Sequence, residues 1–236
     1  MSLFQPALFV KYLLSFDYFQ AALTTLWISL AALVLGLAVG LVLAIARDTK
    51  LPLLRSAVFV YLWLFRGTPV LLQIVFAFNV LPSFGVVLPG FACAVLALGL
   101  NEGAYIAEIF RSGISAIGVG QRDAAKALGL TEWRTMRLVI LPQALRVVIP
   151  PVGNQFISML KLSALVSVIG VQELLLVADH AAASNFRYFE AFAAAGLYYI
   201  ALTTLFMTVQ HRIEKALGRR QGATHGAPAE TGVGPS

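Results

Sequence analysis

Side chains that could carry out chemistry are few in this chain and are far apart. The three histidines, His180, His211 and His225, are scattered, and Cys93 is the only cysteine. Metal catalysis needs closely spaced ligands and a disulfide needs a second cysteine, so neither has support. The sequence also lacks a Gly-x-x-x-x-Gly-Lys-Ser/Thr phosphate loop. We therefore predict no catalytic residue, no metal and no cofactor, and any ATP hydrolysis must come from a partner.

Polar residues that interrupt apolar stretches are better candidates for function. These candidates are Asn79, Asn101, Glu102, Lys161 and Ser163. Polar groups at membrane depth are costly and often face a substrate pathway. For Asn101, Glu102 and Ser163 the alternative is a hydrogen bond to nearby backbone, which serines in spans commonly make. We predict that the five residues line a solute pathway.

Lys161 is the clearest of these candidates. It lies about 21 Å along a helix from Val147, which is too far to snorkel to the inner interface. An ammonium at this depth can meet the carboxylate of a solute. The alternatives are an interhelical ion pair or snorkelling to the outer interface. Glu108 and Arg111, three residues apart nearer the inner interface, are predicted to form a structural pair.

The composition indicates that these residues are carried by membrane-spanning helices. Hydrophobic residues make up 59% of the chain and charged residues 12%, against about 25% charged residues in soluble domains. The net charge of +6 does not form a basic face interleaved with aromatic residues, so nucleic acid is not a predicted partner. The fold class is all-α and polytopic, with membrane lipid as solvent.

Five predicted spans position the polar residues. They cover residues 18–46, parts of 56–81, about 86–109, about 147–169 and about 189–210. The second span is interrupted at Arg66-Gly-Thr-Pro69, where proline must break the helix and Thr68 is placed to cap its restart. Gly36 and Gly40 form a small-xxx-small pattern that favours close helix packing. An acidic outer loop holding Glu173 and Asp179 is expected between the last two spans.

The distribution of basic residues sets the orientation. An outside N-terminus places all but Lys11, Lys161 and Arg187 of the 17 Lys and Arg residues on the cytoplasmic side. The positive-inside rule thus predicts N-out, C-in. The predicted organisation is an external segment 1–17, a transmembrane domain 18–212 with a cytoplasmic loop 111–146, and a cytoplasmic tail 213–236 that is disordered from about 221 because it is poor in apolar groups.

The cytoplasmic loop contains two predicted short helices. The first covers Asp123 to Leu128 and ends at Gly129, where a left-handed conformation suits glycine. Thr131 can cap the second helix, and Pro142 is expected to end it. Ala124, Ala125 and Leu128 would share a face that a partner can approach closely. An amphipathic helix lying on the membrane is the alternative.

The same loop carries a family resemblance. Asp123-Ala-Ala-x-x-x-Gly129 followed by Val139-x-Leu-Pro142 resembles the EAA loop of binding-protein-dependent ABC importer permeases, although that family usually has Glu and Ile where Asp123 and Val139 stand. In that family the loop is the coupling helix that docks on the ATP-binding subunit. The resemblance thus assigns coupling to Asp123, Ala124, Ala125, Leu128 and Gly129.

Three further segments narrow the resemblance. Arg66 to Pro69, Asn101 to Arg111 and Leu160 to Ile169 are similar to segments of the polar amino-acid permease subfamily, which has five spans and an external N-terminus. The resemblance implies an inner-membrane importer subunit that works with two ATP-binding cassette subunits, a second permease subunit, an external solute-binding protein and an amino-acid substrate. The alternatives are an ion-coupled secondary transporter and a non-transport membrane scaffold. Many relatives have a polar or acidic residue where Leu162 stands, which favours a neutral or acidic substrate.

Overall fold

The computed structural model describes residues 4–222, with side chains described from 4 to 217. Its helices are α1 (Pro6–Leu13), α2 (Phe16–Arg47), α3 (Pro52–Gly67), α4 (Val70–Asn79), α5 (Gly90–Ser115), α6 (Val119–Ala127), α7 (Glu132–Thr135), α8 (Leu141–Leu162), α9 (Leu174–Asn185) and α10 (Tyr188–Gly222). A π-helical segment, Met136–Ile140, joins α7 to α8, and 3₁₀ turns follow α4 (Leu81–Phe84) and α8 (Ser163–Ile169). Within the described part of the chain all regular structure is helical, as predicted.

Long apolar helices provide the membrane spans. Four are long and apolar enough to cross a membrane: Phe16–Arg47, Gly90–Ser115, Glu132–Ile169 and Tyr188–Leu217. The pair α3 and α4 is bent by 103° and counts as a fifth, broken span. The predicted five-span helical architecture is therefore confirmed.

Glycines let α2 and α5 pack closely through the centre of the molecule. A Cβ added at Gly40 would lie 2.6 Å from Cγ2 of Ile106, and one at Gly36 would lie 3.0 Å from the side chain of Glu102. The close packing is reciprocal, since a Cβ added at Gly103 of α5 would lie 2.7 Å from the side chain of Val39 in α2. The predicted small-residue contact is present, and it brings the backbone of α2 against the polar centre of α5.

The break in the second span differs from the predicted capping. Thr68 does not cap the start of α4; it is the C-cap residue of α3, and its Oγ1 donates to the carbonyl of Leu64 at 2.8 Å. Pro69 is the residue that precedes α4, which has no side-chain cap. Pro69 is itself extended, with φ −61° and ψ 136°, so it occupies the position before α4 that Thr68 was predicted to take. The prediction of a break was right and that of a Thr68 N-cap was wrong.

Pro142 does not end a helix, contrary to the prediction. Glu132 to Ile169 forms one continuous span through the π-helical segment. Pro142 has no N–H to give to the carbonyl of Leu138, and the π-helical spacing just before it, in which Leu141 N–H bonds to Met136 O, removes the need for that bond. The second cytoplasmic helix and the fourth span are therefore one rod.

The segment expected as an acidic outer loop is largely the helix α9. Glu173 is fully buried and caps this helix by accepting the N–H groups of Leu175 and Leu176, both at 2.9 Å. Tyr199 of α10 donates its hydroxyl to the same carboxylate at 2.6 Å. Asp179 lies on the exposed face of α9. A buried acidic cap is satisfied by backbone donors, so an acidic residue between two spans did not signal a loop.

The ends of the chain lie only partly inside the described residues. The predicted external segment contains α1, whose preceding residue Gln5 donates its N–H to Glu190 of α10 at 2.8 Å. At the other end α10 continues to Gly222. The predicted tail therefore begins within a helix, and residues 223–236, most of the part expected to be disordered, lie outside the described residues.

Candidate coupling surface and solute pathway

The cytoplasmic helix α6 ends as its sequence predicts. Gly129 has φ +75°, the left-handed conformation that glycine adopts without strain. Leu130 N–H bonds to Ala125 O at 3.0 Å and Gly129 N–H to Lys126 O at 2.9 Å, which is the hydrogen-bond pattern of a Schellman motif. Thr131 then caps α7 by accepting the N–H of Arg134. The turn between α6 and α7 is thus fixed by backbone hydrogen bonds.

The predicted coupling residues divide between two faces of α6. Asp123, Ala124, Leu128 and Gly129 are exposed, and Leu128 keeps 80% of its surface accessible. Ala125 is buried, with 3% exposed. Ala125 therefore packs α6 onto the rest of the chain, and the other four residues form the outward surface of the loop.

Three of the predicted pathway residues bond to the chain itself. Asn101 is buried and donates Nδ2 to Phe65 O at 2.9 Å and to Gln73 Oε1 at 3.1 Å. Ser163 Oγ donates to Leu160 O at 2.8 Å, and Asn79 Nδ2 to Val75 O at 3.1 Å. For Asn101 and Ser163 this is the backbone alternative noted from the sequence.

Asn101 has a partner that the sequence did not single out. Gln73 of α4 donates Nε2 to Phe65 O at 3.0 Å and to both Thr68 oxygens, O at 3.2 Å and Oγ1 at 2.9 Å. The two amide side chains thus satisfy carbonyls that the break between α3 and α4 leaves without helical partners. The signal for Gln73 was available, because it is a polar residue one turn after a proline break in an apolar span.

Lys161 and Glu102 differ from these three residues in their polar contacts. Lys161 is exposed in the last turn of α8 and, among the described residues, forms no ion pair. Glu102 is 5% exposed, packs against Gly36, and its Oε1 is buried without a partner. The side chain of Gln155 on α8 lies beside the Glu102 carboxyl. The interhelical ion pair considered for Lys161 is therefore not made among the residues that the structure describes.

A groove between α5 and α8 includes Gln155, the neighbour of Glu102. It has a volume of about 590 Å³, and Tyr105, Ser112, Pro151 and Gln155 are among the residues that line it. Volumes of this order suit small ligands. Gln155 was missed in the sequence, although a glutamine between two apolar runs of a span is the same kind of signal that pointed to Lys161.

Glu108 binds more partners than the predicted one. Arg111 Nε lies 3.1 Å from Glu108 Oε2, which confirms the predicted pair. Arg47 at the end of α2 and Arg66 at the end of α3 also reach this carboxylate, at 2.5 and 3.5 Å. The side chain of Arg66 lies over the ring of Tyr105, 5.5 Å from its centroid. Sequence spacing shows pairs within a helix, whereas pairs between helices depend on packing that only the structure supplies.

Comparison with known proteins gives one consistent relationship. The family model of the binding-protein-dependent transport system inner membrane component matches residues 36–219. The arginine transport system permease protein of Corynebacterium glutamicum is 39% identical, covering 87% of this chain and 69% of that protein. The glutamine transport system permease protein of Escherichia coli K12 is 38% identical, covering 84% and 91%. The L-cystine transport system permease protein of Bacillus subtilis is 39% identical, covering 83% and 84%.

A solved structure is also similar to this chain. The structure, described as an amino acid ABC transporter with histidines, aligns with a TM-score of 0.81 at 36% identity and covers 85% of this chain and 94% of that chain. Neither a secondary transporter nor a scaffold is favoured by these matches. The chain therefore belongs to the family of inner-membrane components of binding-protein-dependent transport systems, and it is a multi-pass transport subunit and not an enzyme.

Proposed function

We propose that this chain forms the translocation pathway of an ATP-driven importer of polar amino acids and works by alternating access. Relatives that are 38–39% identical over most of this chain are named for the transport of arginine, glutamine and cystine. The observation that carries the mechanism is the rod Glu132–Ile169, which joins the cytoplasmic turn after α6 to Lys161 without a break. A movement at the cytoplasmic end is then transmitted to the pathway end.

The docking surface for an ATP-binding subunit consists of Asp123, Ala124, Leu128 and Gly129. These residues are exposed, while buried Ala125 anchors α6 from the other side. Lys126 and Glu132, 3.1 Å apart, bridge α6 to α7, although a pair this exposed adds little stability. Closure of the ATP-binding subunits moves α6, and the fixed turn at Gly129 passes that movement to the rod.

The substrate is held by charge. Lys161 supplies an ammonium with no partner in the described chain, and the carboxylate of an amino acid is its natural counterion at this depth. Gln155 lines the groove between α5 and α8 and lies beside Glu102, which has one unpartnered carboxyl oxygen; in this proposal both residues belong to the inner side of the same route. Asn101, Asn79 and Ser163 support the helices that form the route. Leu162 leaves no second charge next to Lys161, which favours a neutral or acidic substrate.

The complete importer contains more than this chain. A second permease subunit, either identical or homologous, completes the pathway, two ATP-binding cassette subunits drive it and an external solute-binding protein delivers the substrate. Dependence on a binding protein is a defining property of the family to which this chain belongs. Membrane lipid surrounds the spanning helices of the importer.

Co-purification tests the docking surface. Leu128→Glu places a charge on the 80% exposed leucine and should remove the ATP-binding subunits from the purified complex, as measured by mass spectrometry of the captured proteins. Ala216→Glu, at an exposed site near the inner end of α10, is the matched control and should retain them. Equal retention by both variants would show that α6 is not the docking helix.

A further inference from the structure

One carboxylate lies among three arginines that come from three helices. Arg47 is the last residue of α2, Arg66 lies in the last turn of α3, and Arg111 follows Glu108 by one turn of α5. Among the described residues, Glu108 is the only carboxylate that bridges to any of them. The cluster, defined as Arg47, Arg66, Arg111 and Glu108, therefore carries two uncompensated positive charges.

The unused hydrogen-bond donors of the cluster point outward. The arginine side chains are 38%, 45% and 47% exposed, whereas Glu108 is 23% exposed. Each guanidinium has five N–H groups, and the bonds to Glu108 use few of them. A planar guanidinium group can donate two parallel hydrogen bonds to two oxygens of one phosphate. The cluster therefore has the charge and the donors for one further anion.

The position of the cluster at the membrane boundary indicates where that anion comes from. Helix α3 meets α4 at 103°, so α3 departs from the direction of the span that follows it. Phe59 and Trp63 of α3 are each 68% exposed, and tryptophan prefers the interface between lipid and water. Lys50 and Arg55 add positive charge next to Arg47 in the chain. Basic pockets between spanning helices on the cytoplasmic side suit anionic lipid headgroups.

We propose that Arg47, Arg66 and Arg111 bind the phosphate group of an anionic phospholipid in the inner leaflet, in competition with the carboxylate of Glu108. The bound phosphate would tie together the inner ends of α2, α3 and α5. The site lies apart from Lys161, although Glu108 also lines the groove between α5 and α8, and it does not depend on which solute is carried. Phosphatidylglycerol is the suitable probe, because it carries one negative charge.

Two substitutions of opposite sign test the proposal in the assembled importer. Arg66→Gln removes the most distant arginine, and it should lower the amount of phosphatidylglycerol retained from a mixture with phosphatidylcholine by about five-fold, the effect of one basic residue near an anionic surface. Glu108→Gln removes the competing carboxylate and should raise retention. Native mass spectrometry counts the bound lipids. A purely structural cluster predicts no such opposite changes, because both substitutions break the ion pair between Arg66 and Glu108.

A matched control and a competitor complete the experiment. Arg212→Gln removes an exposed arginine near the inner end of α10 and should leave retention at the parental level. Equal loss in Arg212→Gln and Arg66→Gln would overturn the proposal in favour of a general charge effect. Displacement of the lipid by millimolar inorganic phosphate would also overturn it, because the site would then be one for free phosphate. Unchanged retention of phosphatidylglycerol by the Arg66→Gln variant would also overturn the proposal.

Discussion

Single residues decide whether a polar group in this membrane chain serves the fold or the solute. Asn79 and Ser163 donate to backbone carbonyls three or four residues before them, and Asn101 donates to Phe65 O of α3 and Gln73 Oε1 of α4. Lys161 has no ion-pair partner in the described chain, and Glu102 keeps one buried oxygen free. Polarity at membrane depth singled out all five residues; hydrogen bonds place three of them in the support of the fold, and a solute role for Lys161 and Glu102 stays a prediction.

Lys161 should be required for transport and not for assembly. Replacement by Ala or Gln removes the ammonium that faces the substrate carboxylate, so uptake should fall by at least ten-fold, a loss of about 1.4 kcal/mol or more, while complex assembly and basal ATPase activity persist. Radiolabelled amino-acid uptake into proteoliposomes measures this. Lys215→Gln on α10 is the matched control and should transport normally. Parental uptake by both Lys161 variants would remove the carboxylate role.

Gly129 should be required for coupling because of its backbone conformation. A valine at φ +75° would carry a backbone strain of about 1–2 kcal/mol, so the turn that joins α6 to α7 should distort. Gly129→Val should abolish uptake and weaken attachment of the ATP-binding subunit while the chain still inserts. Gly118→Val is the control, because Gly118 has φ −55° and no atoms within 4 Å of an added Cβ. Normal uptake by Gly129→Val would contradict the coupling role of α6.

At the scale of elements, the broken second span is stabilised by amide side chains. Asn101→Leu should leave the carbonyl of Phe65 with one donor fewer and Gln73 Oε1 without a partner, which costs about 1–3 kcal/mol. The thermal unfolding midpoint of the purified chain in detergent should fall. Asn79→Leu, which replaces an exposed side chain bonded to its own helix, should change it little. An unchanged midpoint for Asn101→Leu would show that the break is stabilised elsewhere.

The sequence predicted the elements better than their ends. The length of the apolar runs predicted the spans, Pro69 predicted the break in the second span, and Gly129 predicted the turn after α6. Each of these features depends on residues that are close in sequence. The prediction that Pro142 ends a helix was wrong, because the π-helical segment before it accommodates a residue without an N–H group and the helix continues. The prediction of an acidic loop at Glu173 was also wrong, since this residue is the buried N-cap of a helix. The groove residue Gln155 and the arginines around Glu108 meet only through packing between helices, which local patterns do not encode.

The whole molecule has a direction in the membrane, and this direction can be measured. Single cysteines at the exposed positions Ser83 and Asp179, in a Cys93→Ser background, should react with an impermeant reagent added outside cells, whereas one at Lys126 should react only after permeabilisation. The reason is the cytoplasmic bias of Lys and Arg. Cys93 itself is 1% exposed and should label little before its removal. Labelling at Lys126 in sealed cells would reverse the orientation.

Transport by the assembled molecule tests the central claim, that this chain is the pathway of an ATP-driven amino-acid importer. The complex, reconstituted with its ATP-binding subunits and external binding protein, should accumulate an amino acid in proteoliposomes only when hydrolysable ATP is supplied on the side of α6. Dissipating proton and sodium gradients should leave the uptake rate unchanged. Uptake that persists without ATP and collapses with an ion gradient would contradict the account and identify a secondary transporter.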